Sequence, residues 1–356
     1  MTEKNSPFRS RRGFLQLAGT GVGLQLITAN KSRADHHKKI VGSGEHTYEC
    51  EHFWGRLPDG HSYGNASHGV AIDSQGMIYV THTGKPDSVF VFDPDGKFVK
   101  SMLPDHNKTR ERASGHGIDI RVEEDGKEYL YLSPADSSMA FTKATIDGEI
   151  VWSRGKSDLE KDAGLELGRY RPTNASFAPN GDTYLGDGYG SGYLFRYTSA
   201  GKFVSVFGGT GTGNGKFKTP HGQWLDNRDG TPKTAVCDRA NARLQWFDME
   251  NRHLKTMDGF LFPADIDIKD DLMVVPDLHA RVTLLDQDDR IIAHLGDDEA
   301  WRTRVLDKKE KMRGSPDKWQ DGKFVHPHDA AFDSDGNIFI AEWVVGGRVS
   351  KLRKVS

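Results

Sequence analysis

Four histidines recur in one phase of an internal repeat. They open strand-like runs: His68 in HGVAIDSQGMIYV, His116 in HGIDIRVEEDGKEYLYL, His221 in HGQWLDNRDGTPKTAVCD and His328 in HDAAFDSDGNIFIAEW. Imidazole nitrogens suit zinc and other divalent transition metals, and three of them with one open position make a catalytic arrangement. Ligands drawn from separate repeats leave no local spacing motif, so the fold must bring them together. A lone histidine in a polar channel needs only a hydrogen bond to water; four in one phase point to a metal. Asp329, beside His328, can orient a ligand or hold a harder cation such as calcium.

The elements that must position these residues are hairpins. An apolar run, a turn of the D-x-D-G kind and a second apolar run read as a β-hairpin. Two degenerate copies, TNASFAPNGDTYLGD from Thr173 and ADIDIKDDLMVVPD from Ala264, raise the count to six units. Each continues into a second hairpin, as in VFVFDPDGKFVKSM, so a unit holds four strands in 35–55 residues, the pattern of propeller blades. The sixth ends at VSKLRKV, one strand short. Residues 46–57 alternate and are expected to supply the missing strand beside 349–355, closing the ring and removing its open edge. The expectation is an all-β, six-bladed propeller over residues 46–356.

Topology assigns two faces. Turns such as DSQG, PNG and DSDG are short and share one. The blade-to-blade links 103–115, 154–172, 209–220 and 298–327 are long and share the other, where function tends to reside. The last holds a charged, helical excursion from Asp298 to Lys318. Each repeat histidine enters its innermost strand from that long-loop face, so all four converge at one mouth of the channel. Two loops reach the same mouth. Asp187-Gly188-Tyr189 brings a phenol that can act as a base beside a metal, and Asp238-Arg239 brings a guanidinium suited to gripping a carboxylate.

Ser10-Arg11-Arg12-Gly13-Phe14-Leu15 is a twin-arginine export pattern, and Ser32-Arg33-Ala34 offers a cleavage site. Residues 1–34 are therefore expected to be an export signal, 35–45 a linker, and the protein periplasmic or secreted. The apolar part of the signal is too short and Gly-rich to span a membrane. The whole chain has 40 Gly, 10% aromatics and a net charge of −3. Removing residues 1–34 takes away six of 48 basic and one of 51 acidic residues, leaving −8 and arguing against a nucleic-acid partner. Cys50 and Cys237 are expected to be free thiols in different blades.

The repeats resemble NHL repeats, and the ordered set resembles the catalytic domain of the peptidylglycine amidating lyases over approximately residues 60–355. The resemblance rests on His116-Gly117-Ile118, Pro172-Thr173 with Asp187-Gly188-Tyr189, Pro220-His221, Asp238-Arg239-Ala240-Asn241-Ala242-Arg243-Leu244-Gln245 and Pro327-His328-Asp329. It implies His116, His221 and His328 as zinc ligands, Tyr189 as catalytic base and Arg239 as a substrate-binding arginine. It further implies a structural calcium held by Asp329 with the carbonyls of Val70 and Ile118. Such lyases split an α-hydroxyglycine, releasing glyoxylate and leaving a peptide amide. The sequence departs from the family at a first-blade arginine, whose place Thr83 takes, with Lys85 as a stand-in for binding substrate. His68 is extra and His326 stands where the family is apolar; both are spare candidates for a ligand or a supporting contact. The expected activity is that of a metal-dependent lyase on a small-molecule or peptide substrate bearing a hydroxyl or carboxylate. Two other readings are a non-enzymatic NHL scaffold, which would show exposed aromatics, and a calcium-dependent lactonase, which would use acidic and amide ligands.

Overall fold

Each D-x-D-G turn is closed by its first aspartate. Asp333 Oδ1 accepts from the N–H groups of Asp335 and Asn337 at 3.0 and 2.9 Å. Asp73, Asp93, Asp248 and Asp286 repeat the contact on the residues two and four further along. Asx turns of this kind set hairpin after hairpin from local chemistry alone. The computed structural model describes residues 38–103, 115–136, 138 and 140–355. The twin-arginine pattern and most of the link 103–115 lie outside the described residues.

The hairpins assemble into six antiparallel sheets. Their innermost strands are Ser67–Ile72, Gly117–Val122, Asn174–Phe177, Pro220–Asp226, Asp267–Lys269 and Pro327–Phe332. Each touches the next in ring order and the last returns to the first, so the fold is a closed six-bladed propeller. The core is distributed between blades. Val80, Phe90 and Phe92 of the first face Phe339, Ala341 and Val349 of the sixth, and Trp54 sits between Phe92 and Phe339 at 5.7 and 4.8 Å. Burying both faces of every sheet makes the ring stable only when complete.

The ring closes as the sequence anticipated, with one difference. Strand His46–Glu51 pairs with Arg348–Lys354, Cys50 opposite Leu352. It ends at Glu51 rather than continuing to residue 57. The residues expected as a linker contribute a further strand, Lys39–Ser43, which pairs outside it and gives the sixth sheet five strands. Gly44, at φ +56°, makes the two-residue turn between them, and Val41 buries itself against the fifth blade's cluster around Leu295.

The H-G pairs at the head of the inner strands have a steric cause. A Cβ on Gly117 would stand 2.3 Å from the Thr173 carbonyl oxygen of the next blade, and one on Gly69 2.6 Å from that of His116. Inner strands crowd at the axis, and only glycine lets them pass. Cys50 and Cys237 are buried free thiols. Among the described residues no helix is long and apolar enough to cross a membrane.

Candidate metal centre and substrate cavity

The four repeat histidines meet at one mouth of the channel. Ring centroids of His116 and His328 lie 4.6 Å apart; His68 stands 5.0 Å from each, and His221 stands 5.0 and 4.7 Å from them. The nitrogens of His68, His116 and His328 fall within 4.8 Å of one another. A different trio is anchored. His116 Nδ1 donates to the Thr173 carbonyl at 2.7 Å, His221 Nδ1 to that of Ala264 at 2.7 Å and His328 Nδ1 to that of His68 at 3.0 Å. These come from the second, fourth and sixth blades, and each leans on the backbone of the blade that follows. With Nδ1 committed as donor, Nε2 presents a lone pair to the axis, the tautomer a metal ligand needs. His328 Nε2 is buried with no partner, and so is His68 Nδ1. Burial, followed by neighbouring positive charge, holds all four imidazoles neutral: His68 is lowered to about 3, and the other three lie well below the ordinary value. A neutral, convergent, partly orphaned nitrogen set fits a divalent ion of the zinc class.

Tyr189 closes over this cluster. Its phenol oxygen is 2.8 Å from His221 Nε2 and 3.3 Å from His116 Nε2, and accepts from Arg239 Nη1 at 3.0 Å. The loop that carries it is built on Asp187, whose buried carboxylate accepts from the N–H groups of Arg171 and Ser191 and from the Ser191 hydroxyl. Gly188 slips past the Pro220 carbonyl, where a Cβ would stand 2.1 Å away. The D-R-x-N-x-R-x-Q run has an equally local cause. Asn241, Arg243 and Gln245 all donate to Asp238, and with that carboxylate saturated the neighbouring Arg239 projects into the cavity, between the rings of Tyr189 and Phe262.

The cavity, of ≈ 480 Å³, is lined by His68, His116, His328, Tyr189 and Arg239 together with Arg171, Arg313, Phe262, Leu278 and Trp343. Sequence reasoning missed Arg171 and Arg313; both sit in the long links and carry no repeat phase. Three expected residues stand elsewhere. Lys85 is exposed and outside the lining. His326 does not join the cluster: its Nδ1 pairs with the Leu278 carbonyl at 2.7 Å and its ring packs on Trp343. Asp329 faces the opposite end of the channel, a second cavity it lines with Asp119, Asp265, Asp267, Val70 and Ile120. Its recorded contact with Val70 is with that residue's N–H, at 3.2 Å. Burial raises all four aspartates, Asp265 to about 6 and Asp267 to about 7, with Asp119 and Asp329 well above the usual range. Ile118 is buried one residue from Asp119.

Fold and repeats define a six-bladed β-propeller whose repeats resemble those of NHL proteins. No protein-family model matches the chain. It is similar to the human NHL repeat-containing protein 3, 26% identical over 188 residues, which is 51% of each chain. It is also similar to the rat peptidylglycine alpha-amidating monooxygenase, 26% identical over 206 residues, covering 52% of this chain and 21% of that one. The chain thus spans about half the length of the NHL relative it matches. Among solved structures, virginiamycin B lyase from Staphylococcus aureus shares the fold at a TM-score of 0.51 and 12% identity, covering 86% of this chain and 100% of that one. A gluconolactonase from Xanthomonas campestris does so at 0.56 and 12%, covering 90% and 95%. At such identities the likeness is of fold alone.

Proposed function

We propose that this protein is a metal-dependent enzyme of the amidating-lyase kind, working in the axial cavity on a small substrate with a hydroxyl and a carboxylate. The observation that carries the reading is Tyr189, whose oxygen touches two imidazole nitrogens and one guanidinium supplied by the two neighbouring blades. His116, His221 and His328 are the ligands of choice because their Nδ1 anchors pre-orient them, and His68 adjoins them in the same phase. An ion of the zinc class held there would supply Lewis acidity toward a bound hydroxyl. Structural calcium at Asp329 belongs to the same proposal, supported by the buried carboxylates around it.

The chain's own groups carry the remaining steps. Arg239 grips the substrate carboxylate with N–H groups its partners leave available. Tyr189 Oη receives the hydroxyl proton, and the Arg239 donor already aimed at that oxygen offsets negative charge on it. The carbon bearing the hydroxyl becomes an aldehyde as its bond to nitrogen breaks, and the nitrogen leaves as an amide carrying the proton that Tyr189 hands on to it. Phe262, Leu278 and Trp343 give the site apolar walls. Export by the twin-arginine route, supported by Arg11 and Arg12, places the enzyme outside the cytoplasm. The test pairs metal content with turnover of a peptidyl α-hydroxyglycine. His116→Ala should lose both the metal and glyoxylate release; a variant that retains either overturns the reading.

A further inference from the structure

Among the described residues the cavity is lined by three guanidiniums and no acid. Arg171, Arg239 and Arg313 line it, and none of the lining side chains is Asp or Glu. Elsewhere this chain pairs its buried arginines: Arg228 with Asp226 and Asp289, Arg348 with Glu342. The cavity arginines are held by neutral groups instead. Arg171 Nε donates to the Ala135 carbonyl at 2.7 Å, and Arg313 donates to those of Asn65 and Trp343 at 2.6 and 3.2 Å. Arg239 reaches the Tyr189 phenol, and its Nε is buried without a partner. Among the described residues none of the three forms an ion pair.

Three like charges around one half-desolvated space repel. That repulsion is stronger in a partly desolvated space than in bulk water. An anion entering the cavity relieves that repulsion and gains charge-assisted hydrogen bonds. The guanidiniums fall on two walls. Arg171 and Arg239 flank one ring, 5.6 and 4.9 Å from the centroid of Tyr189. Arg313 lies 3.9 Å over Trp343 and is tied to Asn65.

Arg313 is not a loose surface side chain. It sits in the 3-10 turn Met312–Gly314, within the excursion between the fifth and sixth blades. That excursion has its own small core of Trp301, Val305, Met312, Trp319, Val325 and Val344. The Trp319 indole donates to the Met312 carbonyl at 2.6 Å, and Val345 N–H to that of Arg313 at 2.9 Å. A seat this firm, built from an insertion, delivers a charge to the wall facing Tyr189.

We infer that the cavity takes a substrate with two acidic groups, one gripped by Arg239 and Arg171 beside Tyr189 and the other by Arg313. The inference rests on reading this cavity as the active site, and it names Arg313 as the residue that sets substrate class. A volume of ≈ 480 Å³ suits a small diacid.

The test is titration calorimetry on the full chain, stripped of metal by chelation, with dicarboxylates from malonate to adipate and monocarboxylates of matched carbon number. At least one dicarboxylate should bind tenfold or more tightly than its match. Arg313→Gln should bring that acid down to its match and leave the monocarboxylate unchanged, while Arg313→Lys recovers part of the preference. Arg171→Gln, on the other wall, should weaken both acids and so guards against a local collapse around residue 313. No preference in any pair, or a full preference surviving in Arg313→Gln, overturns the inference. Binding is read without metal or turnover, so loss of activity in Tyr189→Phe with the preference intact spares it. Turnover without any diacid preference sinks it while the proposed function stands.

Discussion

Tyr189 Oη lies 2.8 Å from Nε2 of His221, close enough for the phenol to donate its proton there. The direction follows from the far side of the ring, where Nδ1 is already a donor to Ala264 and leaves Nε2 as acceptor. One hydroxyl therefore competes with a metal for the same lone pair. Tyr189→Phe should keep a full complement of zinc by elemental analysis and lose turnover by about 10²–10⁴-fold, the usual weight of a general base. Loss of metal in this variant would make the phenol a structural support instead.

His221 and His68 compete for the third ligand position. Nitrogen separations favour His68, whose ligand atom lies with those of His116 and His328 within 4.8 Å of one another. Orientation favours His221, because His68 Nδ1 has no partner to hold its tautomer. Orientation should win, since an unanchored imidazole must be ordered at the moment of binding. His221→Ala is expected to weaken zinc affinity by more than about 100-fold and His68→Ala by less than about tenfold, measured by competition with a chromophoric chelator. The reverse order would move the centre towards the first blade.

Much of this geometry was legible in the sequence because it is written in phase. The D-x-D-G turns fix the hairpins, and hairpin count fixes six blades. Equal histidine phase then fixes one mouth, with Tyr189 and Arg239 on the same side. The outermost strand Lys39–Ser43 was not legible: it has five residues, of which only Val41 is buried. Arg171 and Arg313 were hidden because they belong to links whose path is set by tertiary packing. The acidic end of the channel was hidden although the signal was present. Asp265 and Asp329 occupy the second position of their repeats and Asp119 and Asp267 the fourth, so phase alone brings four carboxylates to one axis.

The crowding at the head of the inner strands makes a separate prediction. Gly117→Ala would put a methyl 2.3 Å from the Thr173 oxygen and 2.6 Å from Asn174 Oδ1, both held in the next blade. Thr173 also receives the anchor of His116. Strain and a displaced ligand should appear together: a loss of about 1–3 kcal/mol in denaturant unfolding and a measurable drop in zinc affinity. An unchanged variant would mean that the strands separate more readily than their packing indicates.

The last prediction concerns Asp267 and pH. Its carboxylate is buried, accepts from the N–H groups of Phe332 and Ile268 at 2.6 and 2.8 Å, and is raised to about 7, chiefly by burial. Between the unfolded value near 3.8 and the folded value near 7 the native state holds a proton that the unfolded chain releases. Stability contributed by this group is therefore full below about pH 4 and is lost as pH rises towards 7. At 1.36 kcal/mol for each pKa unit, the loss across that window is on the order of 4 kcal/mol. Asp267→Asn, uncharged at every pH and able to accept the same N–H bonds, should flatten this part of the curve. It should also leave the protein at pH 7.5 more stable than the parent, both measured by urea unfolding with chelator present. Parallel curves for the two proteins between pH 4.5 and 7.5 would show that Asp267 is already ionised in the native state over that range and that burial does not hold its proton.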